Sequence, residues 1–270
     1  MTIKRTFTRT KAAGYSHRPS TRTKARQLSV ANEVFDDIHH SVAAANIVIL
    51  ATPVYTFEGL FTEISDSLPD GCIVTDVGST KNLAHKWAAA RLPSRVNYVG
   101  SHPIAGSEQR GVEYCRDDLF YGAACILTTT PKTNPQAVKT LENFWKKIGC
   151  VVKKMAPAQH DKVFANVSHV PHIVAASLVN ANKDPDLQYA GKGFMDTSRI
   201  ASGPASIWSD ILLTNSKNTV KGIEKVIKQL ENIKDAIASK DTNKIRKLLE
   251  MARAKRAALI EYKLRSEDIS

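Results

Sequence analysis

The 270 residues carry 38 Lys and Arg against 26 Asp and Glu, a formal net charge of +12, with 43% hydrophobic and 7% aromatic residues. That composition belongs to a globular chain with a full core, and no apolar run approaches the roughly 18 residues of a transmembrane helix, so no membrane partner is expected. Eight of the positive charges fall in residues 1–27 (Lys4, Arg5, Arg9, Lys11, Arg18, Arg22, Lys24 and Arg26), with no acid before Glu33.

The rest of the chain is only mildly basic, and no aromatic platform accompanies the charge, so nucleic acid is not an expected partner. A basic cleft for an anionic cofactor or substrate fits the distribution better. A basic, acid-free start is also found in targeting peptides, but this one lacks an amphipathic stripe and an apolar signal core. A cytoplasmic location is expected. Cys72, Cys115, Cys125 and Cys150 form no CxxC pair and read as reduced thiols, Cys72 and Cys125 inside apolar strands.

In chain order, residues 1–13 show neither helical nor strand periodicity. Gly14 to Thr21 is a polar, loop-like stretch, Lys24–Val34 a short helix, and Asp36–Val42 a helix or turn. An α/β rhythm then starts. Ile47–Ala51 is a continuous apolar run of strand length, stopped by Thr52-Pro53. Phe57–Leu68 has helical spacing and ends at Pro69-Asp70-Gly71. Cys72–Asp76 is a strand, Lys81–Leu92 a helix, Asn97–Gly100 a strand, Ala123–Thr128 another, Ala137–Ile148 a helix, and Val151-Val152 restarts a strand. Alternating strands and helices imply a parallel sheet.

After about residue 157 strand-like runs cease. Val220, Ile223, Val226, Ile227, Leu230, Ile233 and Ile237 repeat at helical spacing over 216–238, and 241–262 repeats the pattern, with Asp241 or Thr242 as N-cap. These helices form either a bundle core within the chain or a dimerisation bundle. The expected fold is an α/β Rossmann-like parallel sheet over residues 1–156, incomplete at its start, followed by an all-α helical domain over 157–270. It is incomplete because a Rossmann first strand ends in GxGxxG, and the only glycine before Gly59 is Gly14.

Four stretches carry candidate chemistry. Asp76-Val77-Gly78-Ser79-Thr80-Lys81 follows a strand and opens a helix, so Ser79 and Thr80 are placed to cap it, or its first amides to meet a ligand. His102 lies between Ser101 and Pro103, in a glycine-rich loop after a strand. A neutral imidazole there can take a proton from a hydroxyl near pH 7; a structural hydrogen bonder is the plainer alternative. Ser168-His169-Val170-Pro171-His172 sets two histidines three apart at the start of an apolar helix. With no HExxH and no nearby cysteines, no metal is expected. Gly191 to Ala201 contains Arg199, a fork for a carboxylate or a partner for Asp196. Trp208 follows, as a site or core residue.

Taken together, ILATPV (49–54), DVGSTK (76–81), GSHPIAGSEQRGVE (100–113), the DLF…ILT run (118–128), the HD…VSHVPH block (160–172) and GFMDTSRIA…IW (193–208) resemble the prephenate/arogenate dehydrogenase family over about residues 45–210. That family oxidatively decarboxylates prephenate or arogenate with NAD or NADP in tyrosine biosynthesis, using a Rossmann domain and a helical domain that forms the dimer. The resemblance implies that His102 is the catalytic histidine bonded to the ring C4 hydroxyl, with Ser79 beside it. It implies that Arg199 binds a substrate carboxylate, with His172, His169 and Trp208 on the substrate side, and that Thr52 and Pro53 belong to the cofactor-side loop. Gly14 to Arg18 resembles the end of the family's second strand. There Ser16, Arg18, Ser20 and Thr21 suit a 2′-phosphate, so NADP is expected, with NAD as the alternative. A catalytically silent dimer that binds prephenate-like anions without redox turnover is the second functional expectation.

Overall fold

The computed structural model describes residues 2–105 and 111–267, so the 106–110 part of the GSHPIAGSEQRG motif lies outside the described residues. By contacts the chain divides into a unit ending at Ser216 and a unit starting at Lys217.

The first unit opens on helix α1 (Thr2–Thr6), where the sequence shows no periodicity. Tertiary contacts hold it: Thr2 Oγ1 donates to the Asp117 carbonyl at 3.2 Å, and Phe7 just beyond stacks on Phe144 with centroids 5.3 Å apart. Strand β1 (Ala13–Gly14) pairs in parallel with β2 (Glu33–Val34) across helix α2 (Pro19–Gln27). The helix expected at Lys24–Val34 therefore starts earlier, at Pro19, whose fixed φ suits a first helical position. It stops before Ser29, which turns the chain at φ 49° and frees Glu33-Val34 to pair as a strand. Helix α3 (Ile38–Val42) is capped by Asp37, which accepts from the His40 amide at 2.9 Å.

Next come β3 (Ile47–Leu50), α4 (Phe57–Ile64), β4 (Ile73–Asp76), α5 (Asn82–Arg91) and β5 (Asn97–Tyr98), with the strands in parallel order β3-β4-β5. The β1–β2 pair is a separate sheet, and among the described residues β4 is the only strand partner of β3. The break falls where a first strand stands in doubly wound order.

The strand expected at 97–100 is two strands. The chain changes partner at the fully buried Val99, so β6 (Gly100–Pro103) runs antiparallel to β7 (Ala124–Thr128). His102 therefore sits in a strand, opposite Ile126, and not in the loop the sequence implies. The buried β7 needs partners on both edges, and β8 (Val151–Met155) supplies the other, in parallel. Gly100 permits the close approach: a Cβ there would lie 2.5 Å from Thr128 Oγ1 and 3.1 Å from Lys81 Cδ. Helix α6 (Pro135–Lys147) is capped by Asn134 and closes at Gly149 (φ 101°), whose amide bonds Lys146 O while Cys150 N bonds Trp145 O. That is a Schellman ending, and glycine fits its left-handed residue. Trp145 packs beneath the sheet and donates from Nε1 to Ser101 Oγ at 3.0 Å.

After β8 the chain is helical: α7 (Pro157–Phe164), a π turn (Ala165–His169), α8 (Val170–Asn180), α9 (Asp184–Leu187), α10 (Lys192–Ser198), a 3-10 turn (Arg199–Ser202) and α11 (Ala205–Thr214). The fold is a Rossmann-like α/β region followed by helices. The second unit contains most of α12 (Ser216–Ala238) and all of α13 (Thr242–Glu267), whose start is capped by Asp241 accepting from Lys244 N at 2.9 Å. Val220, Ile227, Leu230 and Ile237 of α12 and Leu249, Leu259 and Ile260 of α13 are exposed. Among the described residues no helix is long and apolar enough to cross a membrane.

Candidate active site

Three elements meet at His102. Strand β6 carries it, α7 brings His160, Asp161 and Phe164, and the loop between β4 and α5 brings Lys81. His102 Nδ1 and His160 Nε2 are 2.9 Å apart, and His160 Nδ1 lies 2.9 Å from Asp161 Oδ1. Phe164 packs on both rings, with centroids 4.4 Å from His160 and 4.9 Å from His102. Burial holds His102 well below the ordinary 6.5, and the positive charge of Lys81 opposes its protonation further. Burial also lowers His160, against the pull of Asp161. Both rings are neutral near pH 7, and a neutral imidazole is the form that accepts a proton.

The loop of residues 77–81 is built differently from its sequence signature. Ser79 and Thr80 are expected to cap α5, but the helix starts at Asn82 and its cap comes from α7. Asp161 accepts from the Lys81 amide at 2.8 Å and the Asn82 amide at 2.9 Å, in reach of the positive helix end. Thr80 instead pairs its hydroxyl with Thr214 at 2.8 Å, and Ser79 is half-buried in the loop. Beneath, Asp76 accepts from Lys81 Nζ, from Gly78 N at 2.8 Å and from Tyr98 OH at 2.7 Å. Lys81 and Asp76 are both fully buried. A buried charge persists only when paired in this way.

A second cluster forms where α8 meets α11. The π turn places His169, and both histidines of the SHVPH block turn toward Trp208. His172 stacks on the indole at 3.5 Å and 11°, and His169 meets it edge-on at 6.4 Å. His172 Nδ1 is buried with no hydrogen-bond partner among the described residues. It lies in a cleft of about 370 Å³ lined also by Ile173, Ala201, Gly203, Trp208 and Ser209. Arg199 is exposed and opens the 3-10 turn that packs on α8. Asn215 links the two clusters, donating to the Asp161 carbonyl at 2.7 Å and contacting His169 Nδ1 at 3.3 Å. Among the described residues no group of His, Cys, Asp and Glu has the arrangement of a metal site.

Ser16, Arg18, Ser20 and Thr21 gather between the end of β1 and the first turn of α2. Arg18 is the N-cap residue and makes no side-chain cap bond, and its amide donates to Ser16 Oγ at 3.3 Å. Thr52 and Pro53 follow β3, where Thr52 bonds Thr56 at 2.7 Å. Asp210 of α11 anchors this loop by accepting from Val54 N at 2.7 Å and Tyr55 N at 2.8 Å. His160, Asp161 and Lys81 lie in motifs that carry the resemblance, HD…VSHVPH and DVGSTK, but the sequence assigns them no role, and Asp210 is not singled out at all.

A parallel nucleotide-type sheet, a helical region behind it and a buried neutral histidine between them define a dehydrogenase-like α/β enzyme fold. A family model described as "Prephenate dehydrogenase, nucleotide-binding domain" matches residues 1–154, and "Prephenate dehydrogenase, dimerization domain" matches residues 156–251. The chain belongs to the prephenate dehydrogenase family. It is 36% identical to a prephenate dehydrogenase of Bacillus subtilis over 242 residues, covering 87% of this chain and 65% of that protein. It is 31% identical to a cyclohexadienyl dehydrogenase of Zymomonas mobilis, covering 82% of this chain and 77% of that one. The chain thus spans about two thirds of the length of the Bacillus relative. The Aquifex aeolicus prephenate dehydrogenase, solved with hydroxyphenyl propionate and NAD+, superposes with a TM-score of 0.88 at 34% identity, covering 96% of this chain and 92% of that one. A Synechocystis arogenate dehydrogenase superposes with a TM-score of 0.79 at 27% identity, covering 92% and 90%.

Proposed function

We propose that this chain catalyses the oxidative decarboxylation of prephenate or arogenate with a nicotinamide dinucleotide, NADP in preference to NAD. The observation that carries the proposal is the neutral His102, its Nδ1 engaged by His160, standing where the sheet meets the helical region. His102 takes the proton of the ring C4 hydroxyl, and Ser79 flanks that hydroxyl from the β4–α5 loop. Arg199 holds a substrate carboxylate, and His172, His169 and Trp208 bind the rest of the substrate. When bound, the nicotinamide supplies the hydride acceptor. Departure of the ring carboxylate as carbon dioxide aromatises the product. The relatives named above are all dehydrogenases, which favours turnover over a silent anion binder.

The donor set suits the adenosine end of NADP. Ser16, Arg18, Ser20 and Thr21 lie at a helix start that has no side-chain cap, and no acid lies between Gly14 and Thr21 to compete for a 2′-phosphate. Thr52 and Pro53 would flank the cofactor at the end of β3. The glycine-rich pyrophosphate loop is not among these 270 residues. We assign residues 1–156 to the cofactor domain and 157–270 to a helical domain that binds substrate and, through the exposed apolar side chains of α12 and α13, forms a homodimer.

Calorimetric titration with NADP and NAD, followed by an assay of nicotinamide reduction with prephenate and with arogenate, tests the proposal. Tighter NADP binding and turnover of either substrate are expected. No cofactor binding at millimolar concentration contradicts it for this chain.

A further inference from the structure

We propose that His160 and Asp161 fix the tautomer of His102: they keep its ring proton on Nδ1 and leave Nε2 as the basic atom. The inference rests on His102 being the proton acceptor, and it assigns His160 and Asp161 as positioning residues for that role.

The direction of the relay follows from the donors at Asp161. Its carboxylate already accepts from two amides, Lys81 N at 2.8 Å on Oδ1 and Asn82 N at 2.9 Å on Oδ2. Those amides can only donate, so the carboxylate oxygens face them as acceptors. The third contact, His160 Nδ1 to Oδ1 at 2.9 Å, is then donated by the ring. A neutral imidazole carries one proton, so His160 Nε2 is left as an acceptor. The atom facing it is His102 Nδ1, at 2.9 Å, which must therefore donate. His102 Nε2 holds the remaining lone pair.

The arrangement is held rigidly. His160 and Asp161 are almost wholly buried, and Phe164 stacks on His160 with the planes 29° apart. Asn215 fixes the Asp161 backbone by donating to its carbonyl at 2.7 Å. The charged and titratable groups facing His102 are Lys81, His160 and His169, and those facing His160 are His102, Asp161, Lys81, Asp76 and His169. Lys81 opposes a positive charge on either ring, which preserves the neutral pair the relay needs. Protonated His160 would donate from both nitrogens, turn His102 Nδ1 into an acceptor and place the proton on Nε2, where no base remains.

The test combines nitrogen NMR of histidine-labelled protein with kinetics. In the wild-type chain the His102 signals should show a protonated Nδ1 and an unprotonated Nε2 at neutral pH. His160→Leu removes the acceptor and should mix the two tautomers, with kcat lowered roughly 10²-fold and little change in KM. His160→Gln keeps an amide oxygen able to accept from His102 while its NH₂ faces Asp161, and should restore both the tautomer and most of kcat. Asp161→Asn must set its NH₂ against one of the two backbone donors that face the carboxylate, and should loosen the hold on His160 and mix the His102 tautomers. Because Asp161 also caps α5, its effect is read on protein shown folded by its NMR spectrum, and the His160 pair stands without it. A wild-type His102 protonated on Nε2, or a His160→Leu variant with unchanged tautomer, overturns the proposal. If the wild-type tautomer is as stated but no turnover occurs with prephenate or arogenate, the relay stands and the dehydrogenase reading fails.

Discussion

His102 and His160 meet nitrogen to nitrogen, Nδ1 to Nε2, at 2.9 Å. Burial lowers the pKa of both rings, and Lys81 adds to the effect on each. A base that is already neutral at the ordinary histidine value needs no further deprotonation there. The log of kcat/KM should therefore stay flat from about pH 8 down through 6.5 and fall only at more acid pH. A pH–rate profile with its acid limb centred at or above 6.5 would contradict a buried neutral base.

Gly203 makes the stacking of His172 on Trp208 possible. A Cβ at this position would overlap Trp208 Nε1 and lie 3.1 Å from His172 Cε1. Gly203→Ala should part the two rings and raise KM for substrate about tenfold, the scale of one lost aromatic contact. The cofactor dissociation constant should not move. Steady-state kinetics beside calorimetry separate the two effects.

Much of this site is legible in the chain because its parts are short and local. The apolar runs at Ile47–Leu50 and Cys72–Val74 give buried parallel strands, and the Ser-His-Pro setting marks His102. Partnerships across long separations are not legible. Nothing around His102 points to His160, 58 residues away. The cap of α5 comes from Asp161 and not from the adjacent Ser79 or Thr80, because a carboxylate on α7 reaches the amides first. The antiparallel turn of β6 depends on the need of buried β7 for a second partner, which no periodicity in Gly100–Pro103 records. Helix α1 exists through Thr2 and Phe7 contacts, not through its own pattern.

Arg18 stands at the start of α2, exposed and without a side-chain cap bond. If this is the 2′-phosphate site, Arg18→Glu should weaken NADP roughly 10–100-fold, the worth of a charge-assisted hydrogen bond, and leave NAD nearly unchanged. Calorimetric titration of both cofactors reads the ratio. Equal losses for the two would place the phosphate elsewhere.

His85 and His169 are each pushed down to about 4 by burial. Their folded pKa values lie below the unfolded value near 6.5, so the unfolded chain binds more protons between the two. Stability is therefore full above 6.5 and declines as pH falls toward 4, by at most about 1.4 kcal/mol per pH unit for each histidine. Urea unfolding across this range should show the decline, and His85→Gln should make it shallower. A midpoint independent of pH between 6.5 and 4 contradicts the burial of these rings.

The most direct measurement is turnover by His102→Asn beside the wild-type chain, with cofactor binding followed on the same samples. Asparagine keeps a polar group of similar reach but cannot take a proton near neutral pH. If His102 is the base, nicotinamide reduction with prephenate or arogenate falls by roughly 10²–10⁴-fold, while the cofactor dissociation constant stays as in the wild type. Retained turnover in His102→Asn would remove His102 from that role.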